Sequence, residues 1–227
     1  MFETTPLEKI REQFDVTVFG VMDVTRGILP HFRKNKGGMI LNVSSGAGVF
    51  ALPMISLYCA SKFALEGFSE SLSYELASQN IIVKIIEPGG VLSTSFGKRS
   101  GEEASLNTAS PKDYDAFVTG TNAVFAGLRA ARLATEEDVA RVMLEAATDG
   151  TDQLRYVATA DIAPLVEARR ETSEQEYITF MRSRFSSTQR KRVKAASYSL
   201  SAVHSAWEVG ECKSMRLSLC RNRGTMV

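Results

Sequence analysis

The stretch Met39-Ile40-Leu41-Asn42-Val43-Ser44-Ser45-Gly46-Ala47-Gly48 determines the fold predicted for the middle of this chain. Its first five residues form a short apolar run, which is typical of a β-strand covered on both faces. The run ends in two serines and then in a loop that contains two glycines. Ser45 is therefore predicted to stand where a buried strand runs into a glycine-containing loop.

Further apolar runs and amphipathic segments predict strands and helices on either side of this stretch. The first helix is predicted to start at the capping box Thr5-Pro6-Leu7-Glu8, with proline at its first helical position. In chain order, the predicted elements are a helix from residue 5 to Pro30, a strand at 39–43, a helix at 56–78, a strand at 81–86, a helix capped by Thr135, a strand at 154–158, and helices near 161–170 and 173–184. This alternation predicts parallel strands joined by right-handed crossovers.

The second helix and the loop after the second strand are expected to lie near the functional site. On helix 56–78, the apolar stripe predicted to face the core consists of Leu57, Ala60, Ala64, Phe68, Leu72 and Leu76. The polar stretch 93–112 is long enough to be a functional loop rather than a connection between elements.

The overall composition is that of an ordinary globular domain. The chain has 227 residues, of which 44% are hydrophobic and 23% charged, and its net charge of +1 gives no reason to expect nucleic acid as a partner. No apolar run reaches about 18 residues, so no membrane span is predicted, and the start of the chain lacks the features of a signal peptide. Its three cysteines, Cys59, Cys212 and Cys220, are an odd number without metal-site spacing, which favours a cytoplasmic location and no metal. Cys59 is interpreted as a small buried residue rather than a reactive thiol.

Basic residues are concentrated in the last part of the chain. Residues 186–227 contain eight Lys or Arg and two Asp or Glu, are rich in serine and show no apolar period. This pattern predicts an ordered domain at 1–185 and a separate, poorly ordered basic tail at 186–227. The basic run Gln189-Arg190-Lys191-Arg192-Val193-Lys194 has two interpretations: a solvated extension without function, or a nuclear-localisation or anionic-surface patch.

The segment Tyr58-Cys59-Ala60-Ser61-Lys62 carries the main chemical signal of the chain. On the predicted helix its phenol and its ammonium group lie one turn apart on the same face. An unperturbed tyrosine has a pKa of about 10. A neighbouring positive charge is therefore expected to lower the pKa of Tyr58 towards the working range of an acid–base catalyst. The Tyr-x-x-x-Lys pattern alone is weak evidence, because surface helices contain it by chance.

Two further features make the pattern specific. Ser45 lies thirteen residues before Tyr58, and Pro88-Gly89-Gly90-Val91 begins thirty residues after it, directly behind an apolar strand. In this order and spacing, the three features resemble the short-chain dehydrogenase/reductase family. The resemblance implies an α/β fold with a Rossmann-like doubly wound parallel sheet in three α/β/α layers, of which residues 5–185 correspond to the C-terminal half. It also implies an NAD(P)-dependent oxidoreductase that interconverts a secondary alcohol and a ketone by hydride transfer.

The resemblance also implies roles for individual residues. Tyr58 would exchange a proton with the substrate oxygen, Lys62 would lower the pKa of Tyr58 and hold the nicotinamide ribose, and Ser45 would donate a hydrogen bond to the substrate oxygen. Ser44 is the alternative to Ser45, although the interval to Tyr58 favours Ser45. The residues that would contact the nicotinamide carboxamide or the pyrophosphate are Pro88, Gly89, Val91, and Ser93 or Thr94. Without the family, the Pro-Gly-Gly segment would simply be a type II turn that leaves a strand.

The chain departs from the family pattern in two places. Thr17 occupies the position at which the family usually has an asparagine that holds a water molecule next to the lysine, so a relay through Thr17 is an open question. The Gly-x-x-x-Gly-x-Gly phosphate loop is absent, and NAD cannot be distinguished from NADP. The chain is therefore expected to be a truncated member with impaired hydride transfer. The alternatives are a non-catalytic truncated protein that associates with a full-length relative, or an incomplete gene model.

The substrate and the oligomeric state are further expectations. A small apolar carbonyl or alcohol substrate is suggested by aromatic residues near the variable loop, which could equally belong to the core: Phe96, Tyr114, Phe117 and Phe125. Similar enzymes use their long helices for subunit contacts, so a homo-oligomer through helices 5–29 and 56–78 is expected. His31 and His204 are isolated and suggest no metal site.

Overall fold

A computed structural model describes residues 2–91, 94–95, 111–130 and 134–185, which all belong to one unit of the chain. The predicted tail at 186–227 and most of the predicted loop at 93–112 lie outside the described residues. The predictions made for these two segments stay predictions.

Helices and strands alternate along the described chain. The helices are α1 (Leu7–Phe14), α2 (Gly20–Lys34), α3 (Ser56–Ala77), α4 (Asp115–Ala130), α5 (Glu136–Thr148), α6 (Ala163–Glu171) and α7 (Glu174–Phe185), and the strands are β1 (Gly38–Val43), β2 (Ile81–Glu87) and β3 (Arg155–Val157). A π-helical turn, Asp15–Phe19, joins α1 to α2, and short 3-10 turns occur at Phe2–Thr4, Gly46–Gly48 and Lys112–Tyr114.

The three strands form one parallel sheet in the order β1-β2-β3. Val43 of β1 pairs with Ile86 of β2, and Ile86 lies opposite Tyr156 of β3. Each predicted strand is present, and the parallel direction confirms the prediction from the alternation of elements. Since all three strands run the same way, their carboxyl ends lie at one edge of the sheet.

Helices cover both faces of the sheet. On one face, α2 and α3 pack on a cluster of buried residues formed by Ile40, Leu72, Leu76, Ile81 and Val83. On the other face, α5 packs on a cluster formed by Ile86, Ala146, Tyr156 and Ala158. A third cluster packs α6 and α7 against Val49 and Phe50, just after β1. The first two clusters confirm the predicted three-layer α/β/α arrangement.

The two predicted helix caps have opposite outcomes. Thr135 caps α5: its Oγ1 accepts a hydrogen bond from the Asp138 N–H at 3.4 Å, and Asp138 Oδ2 accepts one from the Thr135 N–H at 3.0 Å. The predicted capping box at Thr5 is wrong, because the N-cap residue of α1 is Pro6 and no side-chain capping bond is made there. The helical path also continues through the π turn and past Pro30 to the end of α2. Basic side chains in the last turn of α2 favour this longer helix.

The buried face of α3 is rotated from the predicted stripe. The buried residues of this helix are Cys59, Ser61, Leu65, Glu66, Ser69, Leu72 and Leu76, whereas Ala60 is exposed. Ser69 is fully buried, and its hydroxyl is satisfied there: its Oγ donates to the Leu65 carbonyl at 2.7 Å and accepts from Asn42 Nδ2 at 2.9 Å. Buried serines such as these are invisible to a pattern of apolar residues, which explains the error.

Helix α4 was not predicted. It covers Asp115–Ala130, a segment that contains Gly120 and Gly127 and therefore has a low intrinsic helix propensity. Its stability comes instead from packing, since the Phe125 ring lies 6.1 Å from the Phe185 ring of α7.

Three further features of the described residues concern membrane spans, metal sites and the free cysteine. Among the described residues, no helix combines the length and apolar character needed to cross a membrane. Within the same part of the chain, no group of three His, Cys, Asp or Glu side chains is arranged to hold a metal ion. Cys59 is a buried free thiol whose burial raises its pKa, and this agrees with its interpretation as a small core residue.

Candidate active site

The parallel sheet brings three loops together at its carboxyl edge. β1 leads into Ser45, β2 into Pro88 and β3 into Thr159. The Gly46 N–H donates a hydrogen bond to the Pro88 carbonyl oxygen at 2.8 Å, which joins the first two loops. Open α/β sheets bind their ligands at this edge.

Ser45 is held by its own loop and contacts Tyr58. Its backbone is extended, and its Oγ accepts a hydrogen bond from the Ala47 N–H at 3.2 Å. The Ser45 Oγ lies 3.5 Å from the Pro88 carbonyl oxygen, to which its hydroxyl can donate. It also forms a hydrogen bond with the Tyr58 side chain, and this bond acts to lower the pKa of Tyr58. Ser44 differs, because its Oγ is buried and has no hydrogen-bond partner among the described residues. The contact with Tyr58 thus favours Ser45 over Ser44 as the candidate.

Tyr58 lies in the first turn of α3 and is half-buried. Burial raises the pKa of its phenol, the bond from Ser45 opposes this, and the neighbouring Cys59 adds to the rise. The net pKa is raised, so the expectation that the pKa of Tyr58 falls towards neutrality is wrong for this chain. The Lys62 Nζ lies over the Tyr58 ring, 5.9 Å from its centre.

Lys62 points its ammonium group at the end of β1. Its Nζ donates a hydrogen bond to the Val43 carbonyl oxygen at 3.0 Å. Burial lowers the pKa of Lys62, and the negative charge of Glu66, one turn further along α3, opposes this effect. Glu66 is buried and accepts a hydrogen bond from Arg155 Nε at 3.0 Å. Because its pKa is lowered, Lys62 gives up a proton more readily than an exposed lysine.

The loop after β2 is fixed by side chains that follow β3. The Gly89 N–H donates to Thr159 Oγ1 at 2.8 Å, and the Gly90 N–H donates to Asp161 Oδ2 at 3.1 Å. A Cβ at Gly89 would lie 2.5 Å from both Thr159 Oγ1 and Asp161 Oδ1. Gly89 does not have the positive φ that a type II turn requires at this position, so the interpretation of this segment as a type II turn is wrong. Glycine is needed here because the loop lies very close to Thr159 and Asp161. The sequence reading missed Thr159 and Asp161, although their place directly after the third strand was a signal for them.

The residues after Gly90 are described only in part. Val91 forms an isolated parallel bridge with Ala134, which ties the loop to the start of α5. Thr94 is exposed, and its Oγ1 donates to the Val91 carbonyl oxygen at 3.1 Å. Ser93 lies outside the described residues, so the choice between Ser93 and Thr94 stays a prediction.

Thr17 lies in the π turn between α1 and α2. Its Oγ1 accepts a hydrogen bond from Gln13 Nε2 at 2.9 Å, and the same nitrogen donates to Ser61 Oγ at 3.1 Å. Single π turns inside α-helices occur frequently at functional sites. Sequence reasoning did not single out Gln13, although a spacing of four residues places it one helical turn before Thr17.

Proteins similar to this chain are oxidoreductases. A family model described as short chain dehydrogenase matches residues 1–104. An uncharacterised oxidoreductase of Schizosaccharomyces pombe is 38% identical over 158 residues, which cover 68% of this chain and 62% of that protein. The 17-beta-hydroxysteroid dehydrogenase type 1 of Mus musculus is 30% identical over 181 residues, which cover 79% of this chain and 52% of that protein. A crystal structure of a short chain dehydrogenase/reductase from Burkholderia phymatum in complex with NAD matches with a TM-score of 0.57 at 23% identity, over 74% of this chain and 59% of that one.

These similarities show that the chain belongs to the short-chain dehydrogenase/reductase family. The match to the solved structure, at 23% identity, shows the fold and confirms the predicted Rossmann-like α/β class. The chain spans 62% of the length of the fission yeast relative and 52% of the mouse relative. The activity of those whole proteins therefore applies to this chain only as a proposal.

Proposed function

We propose that this chain carries the catalytic residues of an oxidoreductase that interconverts a secondary alcohol and a ketone with NAD or NADP. The observation behind the proposal is the hydrogen bond between the Ser45 hydroxyl and the Tyr58 side chain, with the Lys62 ammonium group one turn further along α3. The serine and the tyrosine come from separate elements that meet at the carboxyl edge of the sheet. A chance pair of surface side chains would not have a third partner supplied by another loop.

In this reaction, the chain would bind the substrate oxygen and move a proton. The Ser45 hydroxyl donates a hydrogen bond to that oxygen and stabilises the negative charge that develops on it. Tyr58 gives its proton to the oxygen when a ketone is reduced and takes it back when an alcohol is oxidised. The raised pKa of Tyr58 keeps the phenol protonated at neutral pH. Lys62, whose pKa burial lowers, would return a proton to Tyr58.

The residues at the sheet edge fit the nicotinamide end of the cofactor. A bound nicotinamide would supply the hydride for ketone reduction or accept it in alcohol oxidation. Gly89 lets the loop after β2 lie close to the end of β3 at this edge, since a side chain there would collide with Thr159 and Asp161. The proposed contacts are Tyr58 and Lys62 with the ribose, and Pro88, Gly89, Val91, and Ser93 or Thr94 with the carboxamide or the pyrophosphate. The pattern Gly-x-x-x-Gly-x-Gly does not occur in the 227 residues, so no phosphate loop is assigned.

The proposed substrate is a small, largely apolar carbonyl compound or alcohol. The mouse relative is named for a hydroxysteroid, which is an alcohol of this kind. Two of the aromatic candidates are half-buried: Tyr114 in the 3-10 turn before α4, and Phe117 in the first turn of α4. Phe125 packs against Phe185 and is better explained as part of the core. Phe96 lies outside the described residues.

We also propose that copies of the chain associate through residues 5–29 and 56–78. Large apolar side chains are exposed on these helices: Val16 is 72% exposed, Phe19 54% and Val24 74%. On α3, Phe63 is 40% exposed. Apolar surface of this extent is typical of protein contacts.

The proposed function is tested by turnover in the full chain and in a Tyr58→Phe variant. A panel of apolar secondary alcohols is incubated with NAD or NADP, and the absorbance of the reduced nicotinamide is followed. Tyr58→Phe should lower the rate by about 100-fold or more, because it removes the transferable proton. Tyr74→Phe is the matched control, since Tyr74 is exposed on the same helix.

Equal rates in the wild-type chain and in Tyr58→Phe would contradict the proposal. An inactive wild-type chain would also contradict it and would favour the non-catalytic alternative, in which the chain associates with a relative. A loss confined to Tyr58→Phe, with Tyr74→Phe unchanged, would support it.

A further inference from the structure

Gln13 connects the π turn to the helix that carries Tyr58 and Lys62. Its Nε2 lies 2.9 Å from Thr17 Oγ1 and 3.1 Å from Ser61 Oγ. Ser61 is fully buried, and its hydroxyl donates a hydrogen bond to the Tyr58 carbonyl oxygen at 2.9 Å. A single amide group therefore joins Thr17 to the first turn of α3.

The directions of these hydrogen bonds follow from the number of protons. The Ser61 hydroxyl has one proton, which goes to the Tyr58 carbonyl, so the Ser61 oxygen must accept in its contact with Gln13. This requirement sets the orientation of the Gln13 amide, whose NH₂ group has two protons and can donate to both neighbours. Thr17 Oγ1 is then an acceptor in its contact with Gln13. The Thr17 hydroxyl keeps its own proton for another partner.

We propose that Gln13 is a positioning residue of the active site, which holds the Thr17 hydroxyl as a hydrogen-bond donor at a fixed place relative to Tyr58 and Lys62. This inference rests on the proposed function. The π turn displaces Thr17 from a regular helical position, and the bond from Gln13 holds the side chain in that place. Gln13 reaches the substrate only through other residues, so its effect on the reaction is indirect.

Loss of the Gln13 amide has two direct consequences. The buried Ser61 oxygen loses its donor, which costs free energy because the group is away from water. The Thr17 hydroxyl becomes free to rotate and to donate its hydrogen bond in another direction. The first consequence lowers stability, and the second lowers the rate of proton exchange. Binding of the substrate should change little.

The catalytic arm of the test measures kcat and KM of the full chain with Gln13→Leu, Gln13→Glu and Thr17→Val. Gln13→Leu should lower kcat by about fivefold to tenfold, the range expected for the loss of one hydrogen bond, with KM close to that of the wild type. Adding Thr17→Val to Gln13→Leu should cause little further loss, because both act through the same hydroxyl. Thr17→Ser, which keeps the hydroxyl, should retain activity. Glu12→Gln is the control, since Glu12 is the exposed neighbour of Gln13.

The pH dependence of kcat in Gln13→Glu separates a positioning role from a purely structural one. The ionised carboxylate can only accept hydrogen bonds, whereas the protonated form regains one donor. The kcat of Gln13→Glu relative to the wild type should therefore recover in part as the pH falls, and that of Gln13→Leu should not. A pH profile in parallel with that of Gln13→Leu would overturn the proposal.

A second arm is independent of activity. The free energies of unfolding of Gln13→Leu, Ser61→Ala and the double variant form a cycle, and the contact predicts that the two losses are not additive. Additive losses would overturn the proposal whether or not the chain is active. Coupling together with an unchanged kcat in Gln13→Leu would also overturn it. An inactive wild-type chain would instead overturn the proposed function, and with it the catalytic part of this inference.

Discussion

Gly89 shows how much the candidate site depends on a residue without a side chain. Its N–H is bonded to Thr159 Oγ1 at 2.8 Å, and its Cα lies so close to Thr159 and Asp161 that no Cβ fits. The loop after β2 is thereby drawn onto the end of β3. Glycine at this position therefore allows the two loops to pack closely. Because glycine has no side chain, a ligand can also approach the backbone of this loop closely.

Gly89→Ala should lower the free energy of unfolding by about 1–3 kcal/mol, because the added methyl group forces Thr159 or Asp161 to move. The matched control is Gly127→Ala on α4, where a Cβ would meet nothing within 4 Å. That substitution should be neutral or stabilise by up to about 1 kcal/mol. Urea unfolding followed by circular dichroism measures both. Equal stability of Gly89→Ala and the wild type would show that the two loops are not closely packed.

Individual residues of the site differ in how readily the sequence reveals them. Ser45 and Tyr58 could be found because the end of a strand and the first turn of the next helix are brought together by local geometry. Gln13, Thr159 and Asp161 were missed because each acts on a segment that is distant in sequence or unusual in conformation. The direction of the Tyr58 pKa was also missed, since burial cannot be read from the spacing to a lysine.

At the level of elements, apolar runs predicted the strands and amphipathic periods predicted most helices. Two elements, and the buried face of a third, differ from the prediction for physical reasons. The π turn Asp15–Phe19 has a sequence that fits a regular helix, and α4 contains two glycines that lower its propensity. On α3, buried serines such as Ser61 and Ser69 occupy core positions that an apolar pattern leaves out.

An ion pair between the buried Lys84 and the exposed residue Asp149 connects the middle of β2 to the segment between α5 and β3. Lys84 is completely buried, and its Nζ lies 2.5 Å from Asp149 Oδ1 and 3.0 Å from the Tyr156 hydroxyl. Tyr156 in turn donates to Asp149 Oδ2 at 2.5 Å. The hydrogen bonds from Lys84 and Tyr156 hold the pKa of Asp149 below its usual value.

Asp149→Asn should remove a pH-dependent part of the stability. A carboxylate whose pKa is lowered by folding stabilises the native state above the pKa of an unfolded aspartate, about 3.9, and this stabilisation is lost as the pH falls below that value. The difference in free energy of unfolding between the wild type and Asp149→Asn should therefore be largest near neutral pH and shrink in acid. Urea unfolding across this range measures it. Asp152→Asn, in the same exposed loop, is the control; a difference that does not change with pH would contradict the role of the ion pair.

At the scale of the whole molecule, the described chain is a three-stranded parallel sheet with helices on both faces and exposed apolar side chains on the helices that precede β1 and β2. The same part of the chain carries residues of the candidate site: Gln13 lies on α1, Thr17 in the π turn between α1 and α2, and Tyr58 and Lys62 on α3. Association through that surface would therefore hold the helices of the candidate site in a fixed relation.

Val24→Glu should weaken self-association of the full chain. Val24 is 74% exposed on α2, and a carboxylate in a contact between two apolar surfaces would lose its hydration without gaining a partner. The wild-type chain should show at least twice the mass of one chain by light scattering after size-exclusion chromatography, and Val24→Glu a smaller mass. Leu144→Glu is the control, because Leu144 is 66% exposed on α5. A monomeric wild-type chain would remove the proposed contact.

The pKa of Tyr58 tests the central claim, that Ser45 and Tyr58 form one proton-handling unit, most directly. It can be measured in the full chain by nuclear magnetic resonance with ¹³C-labelled tyrosine, and Tyr58→Phe identifies the signal. Burial should place the pKa of Tyr58 above the ordinary value of tyrosine, and Ser45→Ala should raise it further, because the bond from Ser45 stabilises the phenolate. A pKa that is unchanged in Ser45→Ala, or that lies below the ordinary value in the wild type, would contradict the account.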